Sequence, residues 1–316
     1  MAKTPNTKTE RKASPAPAED TFSLVSNEKL LAIYTAMVKC RMLEQRATLL
    51  FQQGKLDSDL HASSGREAAS AAIAIDLQPK DTLSIAPGEW LPAFVKGVTL
   101  DNLFRALAPT AAKLMGQQAL AAGDLALKNI LIGDEAHVPE TVRERALAAQ
   151  AAKEGAIVAA ILPSTAKSLK PWHAVMTAAA AQRLPIVFGR YLAAESEVSE
   201  PTTRGKNPQA LFHGVPAIAV DAFDAVAVYR VAYEAIIRAR QGRGATLLEC
   251  VAHQAVSQPA KAGAASDSEI QMNSADPVST MEIYLENKGI EPKGHSREVV
   301  AAFNRDLELA TRFLDQ

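Results

Sequence analysis

A chain of 316 residues with 48% hydrophobic side chains can fill one large core, and it sits near the upper size for a single domain. Its 34 basic and 35 acidic residues leave a formal net charge of -1, which excludes a general electrostatic attraction to nucleic acid or an anionic membrane. No apolar run reaches the roughly 18 to 20 residues of a membrane span and no signal peptide is visible, so a cytoplasmic protein is expected.

Residues 1–20, "MAKTPNTKTERKASPAPAED", carry one large apolar side chain, Met1. That composition predicts a disordered N-terminal arm, followed by one domain over residues 21–316. From Ser26 a helical pattern runs through Leu30, Leu31, Tyr34, Met37, Val38, Met42, Leu49 and Leu50, and Gly54 stands where a left-handed exit is expected. A loop over 55–64 and an alanine-rich helix over 65–76 precede a short strand, "DTLSIA", at 81–86. Further strands are predicted at 129–133, 156–162, 184–189, 216–220 and 245–252, with helices over 138–153, 168–182 and 224–241. Strands alternating with helices of this length indicate an α/β class, a parallel sheet flanked by helices. Residues 253–275 are polar and aperiodic, a long loop. Asp276-Pro277 then supplies an N-cap and a first-turn proline, and Ser296 is read as the cap of a last helix ending near Phe313. The alanine-rich stretches 65–76, 146–153 and 175–181 are expected to offer smooth helix faces to a second subunit.

The segment "AIVAAILPSTAKS" (156–168) reads as a buried parallel strand that stops at Pro163. In open parallel sheets ligands sit at the carboxyl ends of strands, so Pro163, Ser164 and Thr165 mark a place where a ligand belongs. Cys40 and Cys250 lie in apolar-patterned segments without metal-ligand spacing, the signature of buried free thiols. His137, His173, His213, His253 and His295 likewise lack such spacing. Asp221 and Asp224 occupy a strand-to-helix turn and are read as helix caps rather than metal ligands.

Two longer stretches, "GKLDSDLHASSGREAASAAIAIDLQPKDTL" (54–83) and "GVPAIAVDAFDAVAVYRVAYEAIIRARQGRGATLLE" (214–249), resemble the alpha subunit of the thiamine-diphosphate-dependent decarboxylating component of 2-oxo acid dehydrogenase complexes. The first is similar to that family's Leu-His, Gly-Gln-Glu-Ala and Leu-x-Pro-x-Asp run. The second is similar to its strand-turn-helix and following strand. The resemblance implies a thiamine-diphosphate-binding fold, a beta-type partner subunit in a heterotetramer, and Mg²⁺ bridging the cofactor diphosphate. It makes His61 a candidate catalytic residue, against the alternative of a loop histidine bonded to backbone. Glu67, in the Gly-Gln-Glu-Ala match, is read as a structural ion pair or helix-start charge.

The positions that should bind cofactor depart from the family. Its Gly-Asp-Gly falls on Pro163, Ser164 and Thr165, and its Asn pair falls near Leu192 and Ala193. Its Tyr-Arg pair corresponds to Pro87 and Gly88, and neither its Gly-Ser-Met-His segment nor its phosphorylation loop has a counterpart. Mg²⁺ requires hard oxygen ligands, and Pro163 removes an N–H donor. The expectation is therefore a degenerate subunit, structural or regulatory, that binds neither metal nor thiamine diphosphate as an isolated chain. Its partner is a beta-type dehydrogenase subunit or another copy of itself. The alternative is an active alpha subunit of a pyruvate or branched-chain 2-oxo acid dehydrogenase, its thiamine diphosphate and Mg²⁺ held mainly by the beta partner.

Overall fold

The computed structural model describes residues 25–57, 66–86, 88–108, 129–133, 137–163, 169–192, 211–252 and 276–315. The arm expected at 1–20 and the loop expected at 253–275 lie outside them.

Helix α1 (Asn27–Gln52) starts where the Ser26 side chain accepts a hydrogen bond from the Lys29 N–H at 3.2 Å. It ends before Gly54, whose φ of +71° is the left-handed exit the sequence predicts. The chain continues through α2 (Arg66–Ala74), β1 (Thr82–Ile85), α3 (Leu91–Lys96), α4 (Leu100–Leu107) and β2 (Ile130–Ile132). Then come α5 (Val138–Ala152), β3 (Val158–Leu162), α6 (Lys170–Gln182), β4 (Ile186–Leu192), β5 (Leu211–Phe212) and β6 (Val215–Asp221). The last described elements are α7 (Ala225–Arg240), β7 (Thr246–Val251), α8 (Pro277–Asn287) and α9 (Pro292–Thr311), closed by a 3₁₀ turn, Arg312–Asp315.

The strands form one sheet in the order β2-β1-β3-β4-β7-β6-β5. All neighbours run parallel except β5 and β6, which form a short antiparallel hairpin at one edge. The order reverses around β1, which lies between β2 and β3, and such a switch opens a crevice at the carboxyl ends of the strands. On one face α2, α3 and α7 meet the strands, with α1, α4, α8 and α9 packed onto or beside them, and on the other face lie α5 and α6.

Helix α2 corrects one expectation. Every one of its nine residues is buried, and it packs against α1, α3 and α7 within this chain. Its alanines are small because three neighbouring helices converge on it, so they do not face a second subunit. The start of α9 is a second correction. The Glu291 carboxylate accepts from the Gly294 N–H, and Pro292 occupies the first turn, so the helix begins before Ser296 and leaves that residue inside it.

Asp81, the last residue of the Leu-x-Pro-x-Asp run, ties the sheet's amino edge together. Its fully buried carboxylate accepts from Arg240 Nη2 at 2.6 Å, from the Gln78 N–H at 2.6 Å and from the Ile157 N–H at 3.0 Å. Loop, strand β3 and helix α7 are fastened at one point. Asp224 caps α7 through the Ala227 N–H, as the sequence predicts, whereas Asp221 is no cap and accepts from the Phe223 N–H within the turn before the helix.

Candidate functional site at the carboxyl edge of the sheet

Pro163 directly follows β3 and is half-buried. Leu192 ends β4, the adjacent parallel strand, with Leu162 and Arg190 in register. Gly88 is buried just after β1 at φ +87°, a left-handed conformation that glycine accepts without strain. His61, Pro87, Ser164, Thr165 and Ala193 lie outside the described residues. The structure thus brings Gly88, Pro163 and Leu192 to the same edge, at the switch point.

That edge is apolar where β1 and β3 end. Among the described residues, a cavity of only about 10 Å³ remains there, lined by Ile85, Ala86, Gly133, Val138, Ile161, Pro163 and Trp172, with Ser84 the one polar side chain. Pockets that take small molecules usually enclose roughly 300–1,000 Å³. Trp172 is buried and packs edge-on against Phe188 at 6.3 Å, and a Cβ added at Gly133 would come within 2.7 Å of Val138 Cγ2.

Beside this apolar edge lies a charge network that spacing in the sequence did not disclose. Arg41 on α1 reaches both Glu67 at the start of α2 and Asp276, the N-cap of α8. Glu67 is therefore the structural ion-pair residue the sequence suggests. Burial pushes the Asp276 carboxyl up, but hydrogen bonds from Arg41 and Ser279 outweigh it and hold it below the ordinary range. Arg66 pairs with Glu89 at 2.7 Å and lies over the Tyr191 ring at 5.2 Å. Arg190 and Glu249 are cross-strand neighbours on β4 and β7, both buried, at 3.8 Å. Glu44 is buried one turn beyond Arg41; desolvation, reinforced by Glu67, pushes its pKa up to about 8. The Cys250 thiol is pushed up to about 12 by burial, and Cys40 is raised for the same reason, which leaves both inert as nucleophiles. Glu44 falls on the buried stripe with Met37 and Cys40, and Arg41 is half-buried beside it. Charges on the apolar face of an amphipathic pattern were the available signal for this network.

The profile of the Dehydrogenase E1 component family matches residues 34–299. The chain belongs to the dehydrogenase E1 component family. It is 25% identical over 310 residues to the pyruvate dehydrogenase E1 component subunit alpha of Staphylococcus aureus strain Mu50, an alignment covering 94% of this chain and 81% of that protein. The alpha-3 subunit of the chloroplastic pyruvate dehydrogenase E1 component of Oryza sativa is 24% identical over 323 residues, covering 95% and 75%. The alpha subunit of acetoin:2,6-dichlorophenolindophenol oxidoreductase of Bacillus subtilis is 25% identical over 240 residues, covering 73% and 71%.

E1 enzymes depend on thiamine diphosphate, and the described residues do not fit that cofactor with Mg²⁺. Leu162, Pro163 and Leu192 at the strand ends offer no side-chain oxygen for a hard cation. Among the described residues no group of three His, Cys, Asp or Glu side chains is placed to hold a metal ion. Next to Gly88 stands Glu89, whose carboxylate engages Arg66. In the linked network, four carboxyls (Glu44, Glu67, Glu89 and Asp276) face two guanidiniums (Arg41 and Arg66). No helix among the described residues is long and apolar enough to cross a membrane.

Proposed function

We propose that this chain is a degenerate E1 alpha-type subunit, structural or regulatory, that assembles with a beta-type dehydrogenase subunit and does not bind thiamine diphosphate and Mg²⁺ by itself. The observation that carries this reading is the apolar packing around Pro163 at the end of β3, where Ile161, Val138 and Trp172 leave a cavity of only about 10 Å³ among the described residues. The family fold around that point is intact, so the change is confined to the edge where cofactor chemistry would be done. In this reading residues 21–316 are one domain, the site works in the cytoplasm without nucleic acid or membrane, and His61 has no chemistry to perform.

Titration calorimetry of thiamine diphosphate with Mg²⁺ into the purified chain is expected to give no binding heat. A dissociation constant in the low micromolar range, about -8 kcal/mol, would overturn the proposal. Ser164→Asp should not restore binding, because Leu192 still lacks a ligand oxygen and Glu89 still opposes a phosphate. Tight cofactor binding and 2-oxo acid turnover by the chain co-purified with a beta-type subunit, both abolished by His61→Ala, would establish an active alpha subunit instead.

A further inference from the structure

A larger groove, with a volume of about 910 Å³, lies at the opposite end of the sheet. It runs between α7 and the amino ends of β6 and β7, beside the first residues of α1. Its floor is apolar: Pro216, Ile218 and Tyr233 line it, and the last two are 36% and 42% exposed. Three guanidiniums border it, Arg230, Arg238 and Arg243, and none forms an ion pair among the described residues. Lys29 is neutralised by Asp76 at 2.7 Å, which leaves Glu234 as the remaining acid on the rim. Thr246, also part of the lining, is 3% exposed and its Oγ1 has no hydrogen-bond partner. An apolar floor, unmatched guanidiniums and an unsatisfied buried hydroxyl together call for an occupant that is acidic at one end and apolar at the other.

The chain enters the structure at this groove, since Val25 and Ser26 form part of its wall. The residues just before Val25 read Glu19, Asp20, Thr21, Phe22, Ser23, Leu24, two acids followed by two large apolar side chains. Val25 lies five residues beyond Asp20, a reach of up to about 17 Å when extended, and Val25 and the arginines line the same groove. We propose that this groove is the docking site of the chain's own residues 19–24. Glu19 and Asp20 face the arginines, and Phe22 and Leu24 cover Pro216, Ile218 and Tyr233. Tethering at Val25 supplies an effective concentration in the millimolar range, so modest contacts suffice to keep the segment in place.

Disulfide trapping in the full-length chain tests this directly. Cys40 and Cys250 are buried, so introduced cysteines react alone. Phe22→Cys with Ile218→Cys, and independently Leu24→Cys with Tyr233→Cys, should close an intramolecular disulfide under mild oxidation while the mass stays at 33.6 kDa. The control pair is Phe22→Cys with Leu309→Cys, an exposed position by the far end of α1, where Arg46 holds Thr311. The groove pairs should form at least tenfold faster than the control, and Arg238→Glu with Arg243→Glu should slow them about tenfold at low salt. Rates equal to the control, or insensitivity to the arginine reversals, would overturn the proposal. Disulfides formed only between two chains would also overturn it, and would assign the groove to a second copy.

Discussion

Glu44 holds its Oε1 atom away from water with no hydrogen-bond partner, and burial beside Glu67 lifts its pKa from the ordinary 4.5 to about 8. The folded chain therefore binds this proton more tightly than the unfolded chain does. Its contribution is complete below the unfolded pKa and is lost as pH rises through about 8. Urea unfolding should accordingly show stability falling between pH 5 and pH 8. Glu44→Gln, which cannot ionise, should flatten that slope and be the more stable protein at pH 8, by on the order of 3 kcal/mol; parallel pH curves for the two proteins would refute the assignment. Asp81 presents the opposite case, a buried carboxylate with every partner in place. Asp81→Ala strands Arg240 and two backbone N–H groups, and should cost about 3–5 kcal/mol in chemical denaturation. A loss below about 1 kcal/mol would mean that the clasp does not hold the amino edge.

At the level of elements, α2 shows why alanine recurs in this chain. Helices α1, α3 and α7 close around it, so a larger side chain has nowhere to go. Ala71→Leu should destabilise the fold by about 3 kcal/mol or lose soluble expression, whereas Ala148→Leu at an exposed position of α5 should change stability by less than about 0.5 kcal/mol; equal effects would show that α2 has room. Most elements were legible beforehand because their periods are long enough to count: α1, α7 and the five-residue core of β3 stand within two or three residues of where the pattern puts them. Strand β5 was not, since Leu211 and Phe212 are too few for any alternation. Residues 91–107 fold as two helices broken at Gly97, whose φ of +116° ends α3. The start of α9 was misplaced because a serine cap and a Glu291-Pro292 cap look alike until the backbone turn is seen.

Across the whole molecule, the stretches that resemble the E1 family build the fold. Asp81 and Glu67 each hold two or more elements together, Asp224 caps α7, and the strand ends at Pro163 and Leu192 are apolar. The apolar half of the site could be read along the chain at Pro163. The charged half could not, because Arg41 meets partners 26 and 235 residues away. Assembly is the function that the proposed reading leaves in place. Light scattering of the chain co-expressed with a beta-type subunit should reveal a stable complex larger than 33.6 kDa, of the obligate class that buries roughly 2,000 Å² or more. A soluble monomer indifferent to such a partner would sink that expectation.

The two faces of the sheet are insulated unequally. Seven helices blanket one side, while α5 and α6 alone shield the other, and α5 inserts four residues, Val138, Pro139, Val142 and Ala146, into the interior. Heat or solvent should therefore breach the molecule from the thin side. In deuterated water the amides of α5 should exchange first, those of α6 next, and those of α2 last, so that the layer over the closed cleft comes loose while the side gathered around α1 and α2 still holds its shape.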